Sequence, residues 1–599
     1  MTDQPTTDDT KYPDPAEFSK NLVKIAAQSQ QIVADFLKHN DVSEGPQDPL
    51  NIGSAFMEFA QKLADNPEKL FEAQIDLWQS YINLWNNAAQ RFLGKEGMPV
   101  VAPDAGDKRF RDAAWSDGRV FDFIKQSYLL TANWLQKTVH SIDGLDPKTA
   151  QKVRFYTRQF VDAMAPSNFL VTNPEVLRVT LESNGDNLVR GLKNLLEDLE
   201  RGKGKVAVKM TDMQAFEIGR NIATTPGKVV FQNDLMQLIQ YNPSTEKVFR
   251  RPLLVVPPWI NKYYILDLRP ENSFVRWAVE QGHTVFIVSW VNPDERHASK
   301  TFEDYGFEGI VGALDAIKRA TGENEINAIG YCIGGTLMAA MLAYMAATNV
   351  HRIKTVTFLT AQVDFTEAGE LQVFIDEEQI KHLETLMNRK GFLEAGEMSA
   401  TFNMLRENDL IWTFVINNYL LGKDPFPFDL LYWNCDPTRM PAQMHSYYLR
   451  NMYQRNLLVQ PGALSFKGVP LDLRKIDIPV FIQGGREDHI APARSVYKAT
   501  QIYTGPVEFV LAGSGHVAGV VNHPAAKKYN HWTSTERPYP PNLDEWLKGA
   551  TSNPGSWWTA WEKWISTKAG EMVPARKPGG KHKPIEDAPG SYVKVQTLA

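Results

Sequence analysis

The stretch INAIGYCIGGTLMAAMLAYMAATNV, residues 326–350, contains no charged side chain. An uncharged run of that length is long enough to cross a bilayer. Gly330, Gly334 and Gly335 interrupt it in its first third, however. The pattern divides into a strand (INAIGY), a sharp turn and a buried helix (GGTLMAAMLAYM). The helical part, Thr336 to Ala347, is too short to span a membrane. The turn reads Gly330-Tyr331-Cys332-Ile333-Gly334, the G-x-S-x-G spacing of a nucleophile elbow with Cys in the place of Ser. Small residues on both sides let the backbone turn tightly. The positive end of the following helix favours a thiolate at Cys332. A free cysteine is more often buried and inert; the glycine frame favours the reactive reading.

Outward from the elbow, short apolar runs recur after residue 205: KVVF, LMQLIQY, PLLVVPP, TVFIVSW, IKTVTFLTA, IPVFIQGG and VEFVLAG. Helical patterns such as SFVRWAVEQG and FEGIVGALDAIKRATG separate several of them. Strands alternating with helices imply a parallel sheet covered on both faces, and with the elbow this is the α/β-hydrolase plan. That fold orders its machinery along the chain as nucleophile, acid, histidine. Asp488 lies in the loop after IPVFIQGG, and His516 in the small-residue loop after VEFVLAG. Their separation of 28 positions leaves room for one helix and one strand. Glu487, His489, His523 and Cys435 are read as structural or exposed alternatives. The oxyanion hole requires the Ile333 N–H and a second donor from the loop after an earlier strand. LLVVPPWINKYY supplies that loop, with Trp259 or Ile260 as the donor and Ile260 preferred. No phosphate-binding glycine loop and no metal-ligand spacing is present.

The 599 residues allow about three to five domains as a length prior. The expected boundaries are a disordered N-terminus (1–15), a mostly helical N-terminal domain (16–204), the first part of the core (205–361), a cap or lid insertion (362–478), the second part of the core (479–571) and an extended tail (572–599). In the N-terminal region Trp78 and Trp85 lie seven apart on one face of a helix. A net charge of -6 gives no basic excess, which argues against nucleic acid as a partner. Two distant cysteines argue against a disulfide framework and for a reducing compartment. The acidic, polar start lacks the basic and apolar regions of a signal peptide.

PPWINKYYILDLRPENSFVRW, GYCIGGT, ENDLIWTFVINNYL, FDLLYWNCDPTRMP, EDHIAP, GSGHVAGVVN and the late GSWW together make the chain resemble the single-chain, class I polyhydroxyalkanoate synthases over nearly its whole length. The resemblance implies a catalytic triad of Cys332, Asp488 and His516, with Asp267, Asn261 and Trp433 in supporting or substrate-binding positions. It implies polymerisation of (R)-3-hydroxyacyl-CoA, short-chain units such as 3-hydroxybutyryl-CoA being expected, through an acyl group carried on Cys332, with no cofactor. It further implies a homodimer, cytoplasmic and associated with polyester granules and their proteins, without a transmembrane span. The aromatic-rich insertion is expected to be a mobile lid that shields the thiol. A thiol-dependent hydrolase, either thioesterase or depolymerase, could use the same triad. A granule-binding protein with a vestigial site is the third reading, and the intact triad order argues against it.

Overall fold

A computed structural model describes residues 14–39, 48, 50–93, 98–117, 119–202 and 206–597. The expected disordered N-terminus lies almost wholly outside the described residues, as does part of the RGKGK boundary. The chain forms two compact units: residues 1–212 with 402–426, and residues 213–401 with 427–599.

The first unit is helical: α1 (Pro15–His39), α2 (Ile52–Ala64), α3 (Pro67–Phe92), α4 (Arg119–Ser141), α5 (Pro147–Ala163), α6 (Pro174–Glu182) and α7 (Asp186–Arg201). Local chemistry sets the starts of α5 and α6. Asp146 and Asn173 each accept two backbone N–H groups of the first turn, with Pro at the next position. One small core joins Ala55, Val139 and Val153; another joins Phe110, Trp115 and Leu129. Tyr81 of α3 bonds to Thr131 of α4 at 2.8 Å. A neighbouring stripe of α3 is largely exposed among the described residues, although the Trp85 ring lies 4.9 Å from that of Phe123 in α4. Phe71, Ile75, Trp78, Ile82 and Trp85, spaced alternately by four and three residues, are all exposed.

The expected insertion 362–478 does not stay in one piece. Its middle, 402–426, belongs to the helical unit. There Asn187 donates to the Leu420 carbonyl at 2.7 Å, and a Cβ on Gly191 would come within 1.8 Å of the Tyr419 carbonyl oxygen. That approach is open only to glycine.

The second unit is built on eleven strands: β1 (Gly227–Gln232), β2 (Met236–Tyr241), β3 (Leu253–Val256), β4 (Val285–Trp290), β5 (Ile326–Tyr331), β6 (Ile353–Leu359), β7 (Val480–Gly485), β8 (Val507–Ala512), β9 (Asn530–Thr533), β10 (Thr551–Pro554) and β11 (Glu586–Asp587). Their order is β10-β9-β8-β7-β6-β5-β3-β4-β2-β1-β11. The six from β8 to β4 are parallel; both flanks are antiparallel. This is an α/β-hydrolase sheet, mixed rather than wholly parallel. Every residue of β2, β3, β4, β5 and β7 is buried, as two-sided covering requires. Trp557, Trp558 and Trp561 pack with Phe274 and Trp277 on one face. The tail is not a free extended segment. Met572–Pro574 pairs with Lys247–Phe249, and β11 closes the sheet edge. Among the described residues no helix is long and apolar enough to cross a membrane.

Candidate active site

Cys332 sits between the end of β5 and the helix Ile333–Ala347 with φ 53° and ψ −127°. A side chain at positive φ is strained, and such strain persists only where the surroundings impose it. Here they do. The Cys332 N–H is held by the Leu359 carbonyl at 2.9 Å, and its own carbonyl accepts the Gly335 N–H at 2.8 Å. A Cβ on Gly334 would stand 2.4 Å from the Val256 carbonyl oxygen, and one on Gly330 would stand 2.5 Å from the Gly335 Cα. The glycines are therefore required by close approach, and the elbow helix presses directly on the end of β3. Cys332 remains partly exposed.

Asp488 follows β7. Its Oδ1 accepts the N–H groups of Ile490 and Ala491, both at 2.8 Å. Its Oδ2 accepts His516 Nδ1–H at 2.7 Å. With Nδ1 occupied, Nε2 is the ring nitrogen left free, and Cys332 is close enough to act on the imidazole electrostatically. Burial opposes a charged imidazole, but the Asp488 carboxylate and Cys332 outweigh it, so the His516 pKa is pushed up to about 10. The three residues predicted from chain order thus come together, Asp488 hydrogen-bonded to His516 and Cys332 beside the imidazole.

Three tyrosines that sequence reasoning passed over complete the surroundings. The Tyr331 ring stacks on His516 with centroids 5.8 Å apart. Tyr448 and Tyr453 come from the insertion, pack edge to face with ring centroids 5.6 Å apart and interact electrostatically with Cys332. Burial pushes both phenols well above the usual range. Phe365 packs against both rings. Tyr331 had a local signal, its place inside the elbow; the other two had none.

The remaining predicted residues divide. Ile333 opens the elbow helix, where first-turn N–H groups have no helical acceptor. Ile260 lies in the loop after β3, next to Asn261, which bridges to Pro437. Trp433 is buried and donates its Nε1–H to the Lys262 carbonyl at 2.8 Å. It holds that loop rather than meeting the thiol. Asp267 bonds not to the triad but to Thr225 and Ser273, at 2.5 and 2.6 Å. Burial raises its pKa to about 6. Among the alternatives, His523 accepts the Ala525 N–H and lies against Trp558, a structural role.

Comparison with known proteins decides the family. The family described as the N-terminus of poly-beta-hydroxybutyrate polymerase (PhaC) matches residues 106–278, and the alpha/beta hydrolase fold family matches 263–522. The poly(3-hydroxyalkanoate) polymerase of Methylorubrum extorquens is 53% identical over 90% of this chain and 89% of its own. The chain belongs to the poly(3-hydroxyalkanoate) polymerases. A second polymerase, the PhaC subunit of Rhizobium etli, is 47% identical over 98% of this chain and 93% of its own. That of Cupriavidus necator is 44% identical over 88% and 89%. Among solved structures, a hydrolase from Pseudomonas aeruginosa PA01 covers 49% of this chain and 92% of its own at 14% identity and a TM-score of 0.30. This polymerase carries a thiol at its elbow, with Tyr448 and Tyr453 of the insertion close to it.

Proposed function

We propose that this polymerase joins (R)-3-hydroxyacyl-CoA units, short-chain ones such as 3-hydroxybutyryl-CoA, through an acyl group carried as a thioester on Cys332. The observation that carries this reading is Cys332 on a strained elbow beside a His516 held by Asp488. His516, oriented by Asp488, takes the thiol proton. The Cys332 thiolate attacks the thioester carbonyl, and the Ile333 N–H, with Ile260 as second donor, steadies the oxyanion. The C–S bond to CoA breaks, and the leaving thiolate takes the proton from His516. His516 then accepts the proton of the 3-hydroxyl on the next unit, whose oxygen attacks the Cys332 thioester. An ester forms and the Cys332 thiolate is released; that thiolate attacks the CoA thioester of the lengthened chain, the C–S bond to CoA breaks, and CoA leaves with the proton held on His516.

A thiol suits this chemistry because exchange between two thioesters is close to isoenergetic, so the acyl group stays activated. Water must then be kept out, and the buried tyrosines and Phe365 supply an apolar cover. Placement at the granule surface, with pairing into a homodimer, belongs to the same reading; the exposed stripe of α3 offers an apolar face toward polymer. No cofactor enters any step.

The test is incubation with 3-hydroxybutyryl-CoA, following free CoA and insoluble polymer together. Both should rise. CoA without polymer would favour a thiol-dependent hydrolase, and trapping of labelled acyl groups on any residue other than Cys332 would overturn the mechanism.

A further inference from the structure

The sheet unit buries a pair of charges that the mechanism above does not use. Lys262 Nζ stands 2.7 Å from Asp436 Oδ1, with the two side chains only 3% and 2% exposed. Tyr264 donates its hydroxyl to Asp436 Oδ2 at 2.9 Å. A buried ion pair gives little net stability, because desolvating two charges offsets most of their attraction. Its retention calls for another reason, and its neighbours supply one. Around it, the Trp433 indole donates to the Lys262 carbonyl at 2.8 Å, the Thr438 hydroxyl donates to the Trp259 carbonyl at 2.6 Å, and Asn261 bridges to Pro437. Residues 433–438 of the insertion thus grip residues 259–264, the loop that carries Ile260. The same loop begins at Pro257, whose carbonyl oxygen would stand 2.7 Å from a Cβ on Gly334 of the elbow. A shift of the grip is therefore a shift of the loop against the nucleophile.

We propose that Lys262 and Asp436 are positioning residues for acyl transfer: their buried pair locks the insertion segment 433–438 onto the loop 259–264 and so aims the Ile260 N–H at the oxyanion formed on Cys332. The insertion then completes the site as well as covering it. Burial drives the Lys262 pKa down and the Asp436 pKa up, each opposed by the partner, so neither charge is well held alone. The inference rests on acylation at Cys332.

The decisive variant is Lys262→Met with Asp436→Leu, which removes both charges and keeps apolar bulk; such replacements are often neutral or stabilising. The melting temperature and the rate of Cys332 alkylation by iodoacetamide should stay at wild-type values. The kcat for CoA release should fall about 10²-fold with KM little changed, the loss expected for one oxyanion donor. Wild-type kcat in the folded double variant overturns the proposal. Thr438→Val removes one tether without touching a charge, so it decides the matter if the double variant does not fold. A several-fold fall in kcat is expected, and an unchanged kcat again overturns the proposal. Survival of CoA release in Cys332→Ala would instead sink the underlying mechanism, so the two failures are distinct.

Discussion

Tryptophan is used in opposite ways in the two units. In the sheet unit Trp557, Trp558 and Trp561 are 1%, 0% and 0% exposed, with their indole N–H groups bonded to Gly519, Val520 and Thr357. In the helical unit Trp78 and Trp85 of α3 are 71% and 63% exposed. Both sets recur at helical spacing, so periodicity alone does not separate a core face from a working face. What separates them is whether a second element covers the stripe and whether the indole N–H finds a buried acceptor. The sheet unit buries its aromatic surface against strand β6 and the segment that follows His516; the helical unit leaves an apolar stripe largely exposed among the described residues.

The largest effect that would sharpen this contrast lies at the elbow. Cys332→Ala should abolish polymer formation while leaving the circular dichroism spectrum unchanged, and Cys332→Ser should retain only a trace, since an alcohol needs a stronger base. Asp488→Asn should lower turnover by about 10²–10⁴-fold through loss of the oriented base, measured as CoA release. None of the three should alter how the protein adheres to polymer.

The buried tryptophans come next. Trp561→Ala should cost about 3–5 kcal/mol, the usual loss for a large aromatic removed from a core, read by urea denaturation. By contrast, replacing Trp78 and Trp85 with Gln should change stability by no more than about 0.5 kcal/mol each, as exposed positions do. That double variant should still bind less well to polyester particles in a sedimentation assay. Equal binding would show that the α3 stripe serves another purpose.

This division explains what the sequence made legible. The central strands were readable because each is a short, fully apolar run between turn signals. The triad was readable because the fold fixes its order and because the elbow glycines are local. The edge strands β9 and β10, NHWT and TSNP, are short and polar and leave no such run. The split of the insertion was hidden for a different reason. Its determinants are contacts such as Asn187 to Leu420, more than 200 residues apart, which leave no period in either segment. Tyr448, Tyr453 and the Lys262–Asp436 pair were hidden in the same way. Asp267 was legible as a residue worth naming, but its polar partners, Thr225 and Ser273, place it in its own hydroxyl cluster.

Asp267 gives the smallest test, set against Asp488, another buried carboxylate. Asp488 takes three N–H donors, one of them from His516. Asp267 takes two hydroxyls on Oδ1, while its Oδ2 is buried without a hydrogen bond. Desolvation therefore dominates at Asp267 and raises its pKa from 3.8 to about 6. A raised acid pKa means that the folded state holds the proton more tightly than the unfolded chain. The stability it contributes is fully present below pH 3.8 and is lost as pH rises through about 6. Asp267→Asn cannot ionise, so it should escape that loss. The difference in urea midpoint between variant and wild type should shift in the variant's favour as pH rises from 4 to about 6 and level off above it. A difference that stays flat across that range would mean that Asp267 is ionised without penalty. Its carboxylate would then have to be compensated by groups other than Thr225 and Ser273.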